Sequence, residues 1–257
     1  MTSKEDKLAA FSELLDIMDE LREKCPWDRK QTLESLRHLT IEETYELGDA
    51  ILDRDMGEIK KELGDLLLHI VFYAKIASET QAFDMTAVIK GINEKLIHRH
   101  PHVFGDTIAE TEEEVAKNWE QLKLKEGKDS ILEGVPKSLP AMIKANRIQD
   151  KASSAGFDWE EPQQVYQKVK EELSELEAEI QERDQARIEA EFGDVLFSLI
   201  NYARFIKVDP ESALERTNIK FIDRFQYLEN AVKKAGKKLS DLKLEEMDVY
   251  WEEAKRR

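Results

Sequence analysis

The sequence predicts an all-α protein of two tandem homologous helical-bundle domains, residues 1–128 and 129–257. Three observations carry this expectation. The chain has only 10 Gly and 6 Pro in 257 residues, where average usage gives roughly 18 and 13. It is rich in Glu, Lys and Leu, which favour helix. Two nine-residue uncharged apolar runs, 66–74 and 195–203, stand in the same setting, each preceded by Gly-Asp and followed by a cation, Lys75 or Arg204.

The elements follow in order. Leu8, Phe11, Leu14, Leu15 and Met18 recur at helical spacing and predict a first helix over 4–24. Further helices are expected over 41–54, 57–79 and 85–98 in the first half, and over 162–183, 186–206, 210–235 and 243–256 in the second. Pro162 and Pro210 sit near helix starts, where their fixed φ is tolerated. No sustained period-2 alternation and no Asn-Gly or Asp-Gly hairpin signal points to a sheet. The domain boundary is expected in 126–140, which holds Gly127, Gly134, Pro136 and Pro140.

Composition narrows the function. Lys+Arg 39 against Asp+Glu 55 gives a formal charge of -16, which does not suit a general nucleic-acid binder needing a basic face. A single cysteine, Cys25, excludes an intrachain disulfide framework and a Cys-based zinc cluster. The apolar runs are far shorter than the roughly 20 residues of a membrane span. The first residues, Met-Thr-Ser-Lys-Glu-Asp, contain no apolar signal core. A cytoplasmic protein with no membrane partner and no direct nucleic-acid binding is therefore expected.

The two halves match well beyond the apolar runs. Glu42, Glu43 and Glu46 correspond to Glu171, Glu172 and Glu175, and Glu62 and Asp65 to Glu191 and Asp194, every pair lying 129 positions apart. Cys25-Pro-Trp-Asp28 precedes the first acidic group and Gly156-Phe-Asp-Trp159 the second. Lys95 and Arg99 match Lys220 and Arg224, and Trp119 with Lys123 matches Trp251 with Lys255. One repeat that halves the chain reads as duplicated domains.

A helical residue advances about 100°, so Glu42, Glu43 and Glu46 share one face, as do Glu62 and Asp65 on the next helix. A short connection lets the two helices pack as an antiparallel pair. Five carboxylates then converge in each half. Converging like charges need a counterion. An all-oxygen donor set suits a hard divalent cation, Mg²⁺ or Mn²⁺, which is often completed by substrate phosphates. The plainer reading, a solvated acidic face, is weakened by the repetition and by the apolar runs next to Glu62 and Asp65.

The pattern Glu-Glu-x-x-Glu followed sixteen positions later by Glu-x-x-Asp, present in both halves, resembles the all-α nucleoside triphosphate pyrophosphohydrolases of the MazG type. The segment 98–104 (His-Arg-His-Pro-His-Val-Phe) and the Pro-Trp-Asp and Gly-Phe-Asp-Trp flanks fit as well. The resemblance spans nearly the whole chain. It implies Mg²⁺-dependent hydrolysis of nucleoside triphosphates to the monophosphate and pyrophosphate by homodimers of helical bundles. It also implies metal ligands at Glu43, Glu46, Glu62 and Asp65, and at Glu172, Glu175, Glu191 and Asp194. Glu42 and Glu171 are the extra acids of each group, left between a second metal and the attacking water. Lys220, Arg224, Trp251 and Lys255 are the implied nucleotide-binding positions. Lys95, Arg99, Trp119 and Lys123 are their second-site counterparts. A nucleotide-sensing regulator and a non-catalytic helical dimer scaffold are the rival readings.

The copies also differ. Lys168 shares a helical face with Glu171, Glu172 and Glu175, and Arg187 with Glu191 and Asp194. The equivalent positions in the first copy are Leu39 and Glu58. Cations beside the acids suit an anionic triphosphate, so the C-terminal copy is expected to be the main catalytic site. Lys60 and Lys61 partly offset the difference in the first copy. His98, His100 and His102 flank Pro101, which breaks i, i+4 ligand spacing and favours a turn over a zinc site. No P-loop motif is present.

Overall fold

A computed structural model of the chain describes residues 2–109, 111, 114, 115, 118 and 130–256. The chain divides into two compact units, Met1–Trp119 and Glu120–Arg257. The position expected for the boundary, 128/129, lies outside the described residues, as do Trp119 and Lys123. Among the described residues the elements are helices joined by turns, with no strand.

In the first unit α1 spans Lys4–Lys24, α2 Leu33–Asp53, α3 Met56–Glu79, α4 Met85–Arg99 and α5 Pro101–Phe104. Helix α2 begins well before the expected 41. Thr32 accepts from the Ser35 N–H at 3.2 Å and Ser35 Oγ accepts from the Thr32 N–H at 2.9 Å. This reciprocal cap fixes a helix start that the apolar period does not reveal. Arg54, at φ 56, ends α2 in the left-handed region, and Asp55 caps α3 through the Gly57 and Glu58 N–H groups. The tight connection folds α3 back along α2. Met18 of α1, Leu36 of α2, and Val71 and Phe72 of α3 form the buried core. Arg22 ties α1 to the end of α3 through Glu79 at 2.6 Å.

In the second unit α6 spans Ala141–Ser154, α7 Pro162–Glu182, α8 Gln185–Phe205, α9 Pro210–Lys234 and α10 Leu244–Lys255. The hairpin between α7 and α8 repeats that between α2 and α3: Arg183 has φ 61 and Asp184 caps through the Ala186 and Arg187 N–H groups. Helix α6 is not anticipated by the sequence reading. It carries Lys144, Arg147, Gln149, Asp150 and Lys151, so polar side chains interrupt its apolar period. Polar anchors hold it instead. Gln149 Nε2 donates to the Phe197 carbonyl at 2.8 Å and Lys151 Nζ to the Ile131 carbonyl at 3.0 Å. Val165, Val169, Val195, Leu228 and Val232 are buried in this unit. Among the described residues no helix is long and apolar enough to cross a membrane.

Candidate metal and nucleotide site

The α2–α3 hairpin brings one carboxylate oxygen each from Glu43, Glu46 and Glu62 within 4.8 Å of one another. The α7–α8 hairpin does the same with Glu172, Glu175 and Glu191. Three of the five expected acids therefore meet in each unit. Asp65 stands close enough to Glu43 to disfavour its charge. Asp194 lines a cleft together with Glu172 and Lys168. Glu42 is exposed, and Glu171 is engaged by Lys168.

Each cluster is strained electrostatically. Burial, then the facing Glu62 and the charges of Asp65 and Glu46, push the Glu43 carboxyl above the usual range. Glu62 is only 2% exposed. Its Oε1 takes the Lys61 ammonium at 2.8 Å, and this contact holds its pKa down. Its Oε2 is buried with no hydrogen-bond donor. In the second unit burial, Glu172, Glu171 and Glu191 raise the Glu175 carboxyl, against the opposing pull of Lys168. Lys168 Nζ sits 2.6 Å from Glu171 Oε1 and 2.8 Å from Glu172 Oε1, and these contacts raise its own pKa.

The donor set fits a hard divalent cation. It is all carboxylate oxygen, converging within one ion's reach, with an orphaned buried oxygen on Glu62 and mutual repulsion that a cation would remove. The three carboxylates of the second unit repeat that geometry.

The expected cations separate into groups. Lys168 lies at the second cluster. Arg187 turns toward the hairpin connection, pairing with Asp184 at 3.5 Å and with Glu179 and Glu182 at 3.7 Å. Lys220, Arg224 and Lys255 share a cleft of about 480 Å³ between α9 and α10 with Arg216. Trp251, one turn before Lys255, packs its ring on Phe221 with centroids 5.0 Å apart. Lys95 and Arg99 lie one turn apart on α4.

Sequence reasoning missed a cleft of about 650 Å³ that runs from Lys168, Glu172 and Asp194 to the segment Gly156–Trp159 and α6. Its lip is pinned by Arg204, whose Nη1 donates to Asp158 Oδ2 at 2.9 Å, while Ser153 Oγ donates to the same carboxylate at 2.5 Å. Burial alone would raise the Asp158 carboxyl. Arg204, Ser153 and the Trp159 N–H outweigh it and hold the pKa below the usual range. A depressed carboxylate stabilises the folded state above its unfolded value of about 3.9, and that contribution fades as pH falls through the lower folded value. Asp158→Asn is therefore expected to lower stability at neutral pH and to flatten the loss below about pH 4. Urea unfolding at several acidic pH values checks this; parallel acid limbs for variant and parent would contradict it.

Comparison with known proteins finds the same domain family twice along the chain. The profile of the MazG nucleotide pyrophosphohydrolase domain matches residues 31–104 and again 160–228. The nucleoside triphosphate pyrophosphohydrolase/pyrophosphatase MazG of Thermotoga maritima is 48% identical over 250 residues, 95% of each chain. The nucleoside triphosphate pyrophosphohydrolase of Escherichia coli K12 is 42% identical over 252 residues, 95% of this chain and 96% of that one. The crystal structure of a MazG-related protein from Thermotoga maritima aligns with 44% of this chain and 98% of its own, at 29% identity and a TM-score of 0.40.

Proposed function

The chain belongs to the MazG nucleotide pyrophosphohydrolase family, and from that premise we propose Mg²⁺-dependent hydrolysis of nucleoside triphosphates and deoxynucleoside triphosphates to monophosphate and pyrophosphate, mainly in the second unit. The observation that carries the reading is the triad Glu172, Glu175 and Glu191 standing beside Lys168 and an open cleft.

Glu172, Glu175, Glu191 and Asp194 would hold the cation. When bound, Mg²⁺ offsets phosphate charge and makes a bound water more acidic. Lys168 is oriented by Glu171 and Glu172 at the junction of cluster and cleft, where an ammonium offers a point charge to a phosphate oxygen. We assign Glu171, outside the triad, to receive the proton of the attacking water. Lys220, Arg224 and Lys255, with Trp251 beside them, are assigned to the phosphate end of the nucleotide through the α9–α10 cleft.

The first unit keeps its carboxylates but differs at the cleft. Its counterparts of Ser198 and Asn201 are His69 and Phe72, both buried, and the counterpart of Lys168 is Leu39. This supports assigning the main turnover to the second unit. A homodimer and a cytoplasmic location belong to the same proposal. Leu173, Phe192, Leu199 and Phe221 are large apolar side chains exposed in the second unit, and they offer a second copy a face to cover.

The test is a panel of nucleoside triphosphates assayed with Mg²⁺, with Mn²⁺ and after chelation. Pyrophosphate release that disappears with chelator and returns with Mg²⁺ is expected. Undiminished release in chelator would refute the metal assignment. Mg²⁺-dependent nucleotide binding without product would favour a sensing role.

A further inference from the structure

The cleft beside the second cluster has features that phosphate handling does not use. It is lined by apolar rings at one end, where Phe157 is 85% and Trp159 45% exposed. Exposed aromatic rings at a cleft mouth provide a stacking surface for a flat heterocycle. Its volume, about 650 Å³, falls within the range of roughly 300–1,000 Å³ typical of small-molecule pockets.

Its inner wall carries polar groups of defined orientation. Gln149 is 6% exposed. Its Nε2 donates to the Phe197 carbonyl at 2.8 Å, which fixes the amide and makes Oε1 the remaining acceptor. That Oε1 is buried without a donor, a state that costs free energy unless a ligand relieves it. One helical turn beyond Phe197, Asn201 Oδ1 accepts from Arg204 Nε at 3.2 Å and Nη2 at 3.0 Å, leaving its Nδ2 as the donor side.

The duplication sets different side chains at two positions of this cleft in the two copies. Ser198 and Asn201 line the cleft. Their counterparts His69 and Phe72 are buried, and Phe72 belongs to the core of the first unit. Two large rings stand in one unit where two small polar side chains stand in the other.

We propose that this cleft seats the nucleobase of the substrate, with Gln149 Oε1 accepting from an N–H on the base edge and Trp159 and Phe157 covering the base face. The inference rests on the pyrophosphohydrolase reading and adds the base subsite to it. Its orientation is consistent with the chemistry at the other end of the cleft, where Lys168, Glu172 and Asp194 would meet the phosphates.

The test uses the full chain with Mg²⁺ and two probes, α,β-methylene-ATP, which resists cleavage at the bond in question, and inorganic tripolyphosphate, which has no base. Calorimetry gives Kd and tryptophan fluorescence reports on the rings. Gln149→Leu and Asn201→Phe are expected to weaken α,β-methylene-ATP by about tenfold or more, without a matching loss for tripolyphosphate. The nucleotide-induced fluorescence change should be reduced in Trp159→Phe, with Trp251 left as a reporter. Phe157→Ala, at an exposed position outside the buried core, should weaken the nucleotide in the same selective way. Unchanged α,β-methylene-ATP affinity in Phe157→Ala and Asn201→Phe, or equal losses for both probes, would overturn the base assignment. Failure of the underlying reading would show separately, as wild-type protein releasing no pyrophosphate from ATP.

Discussion

Glu172→Ala is expected to lower pyrophosphate release by about a thousandfold, while Glu43→Ala retains most of it. Glu172 is buried, accepts from Lys168 and contributes an oxygen to the triad. Its removal takes one carboxylate from the cluster and leaves Lys168 held by Glu171 alone. Three consequences coincide at one residue: fewer donors, a less firmly held ammonium and a wider cleft beside it. Glu43 occupies the corresponding place in a unit whose cleft positions carry His69 and Phe72. Steady-state assay of purified variants, with folding checked by circular dichroism, decides the matter. Loss with Glu43→Ala alone would reverse the assignment of the working unit.

Phe72→Ala is the substitution with the largest expected cost in stability, about 3–5 kcal/mol to the first unit. Phe72 is 2% exposed and packs with Met18, Leu36 and Val71. The Arg22 guanidinium lies over its ring, 5.6 Å from the centroid, so truncation also removes a cation–π contact. Three helices meet at this side chain, and the cavity left cannot close without moving α1. Native-state hydrogen exchange should show faster exchange in α1, α2 and α3. Exchange in those helices indistinguishable from the parent would show that the core does not depend on this ring.

Much of the architecture was legible because helical period and duplication report the same thing twice. The matched runs at 66–74 and 195–203 became α3 and α8, and three of the five acids expected in each unit met across the hairpins. Spacing decides which side of a helix a residue occupies, and the short connection pairs the helices. Five acids were therefore expected together, of which Glu43, Glu46 and Glu62 form the triad and Glu42 and Asp65 stand outside it. The start of α2 and the whole of α6 were not legible. One depends on the Thr32–Ser35 cap, the other on polar anchors at Gln149 and Lys151. Arg187 shares a helical face with Glu191, yet its long side chain reaches the acids at the hairpin turn. The cleft was hidden for a different reason. Ser198 and Asn201 look unremarkable until they are set against His69 and Phe72 and against a helix, α6, that the period did not reveal.

The most direct test of the account is the identity of the products. ATP incubated with the full chain and Mg²⁺, with products separated by anion exchange, should yield AMP and pyrophosphate in equal amounts, and Glu172→Ala should suppress both together. ADP with inorganic phosphate, or AMP and pyrophosphate produced equally well by Glu172→Ala, would contradict it.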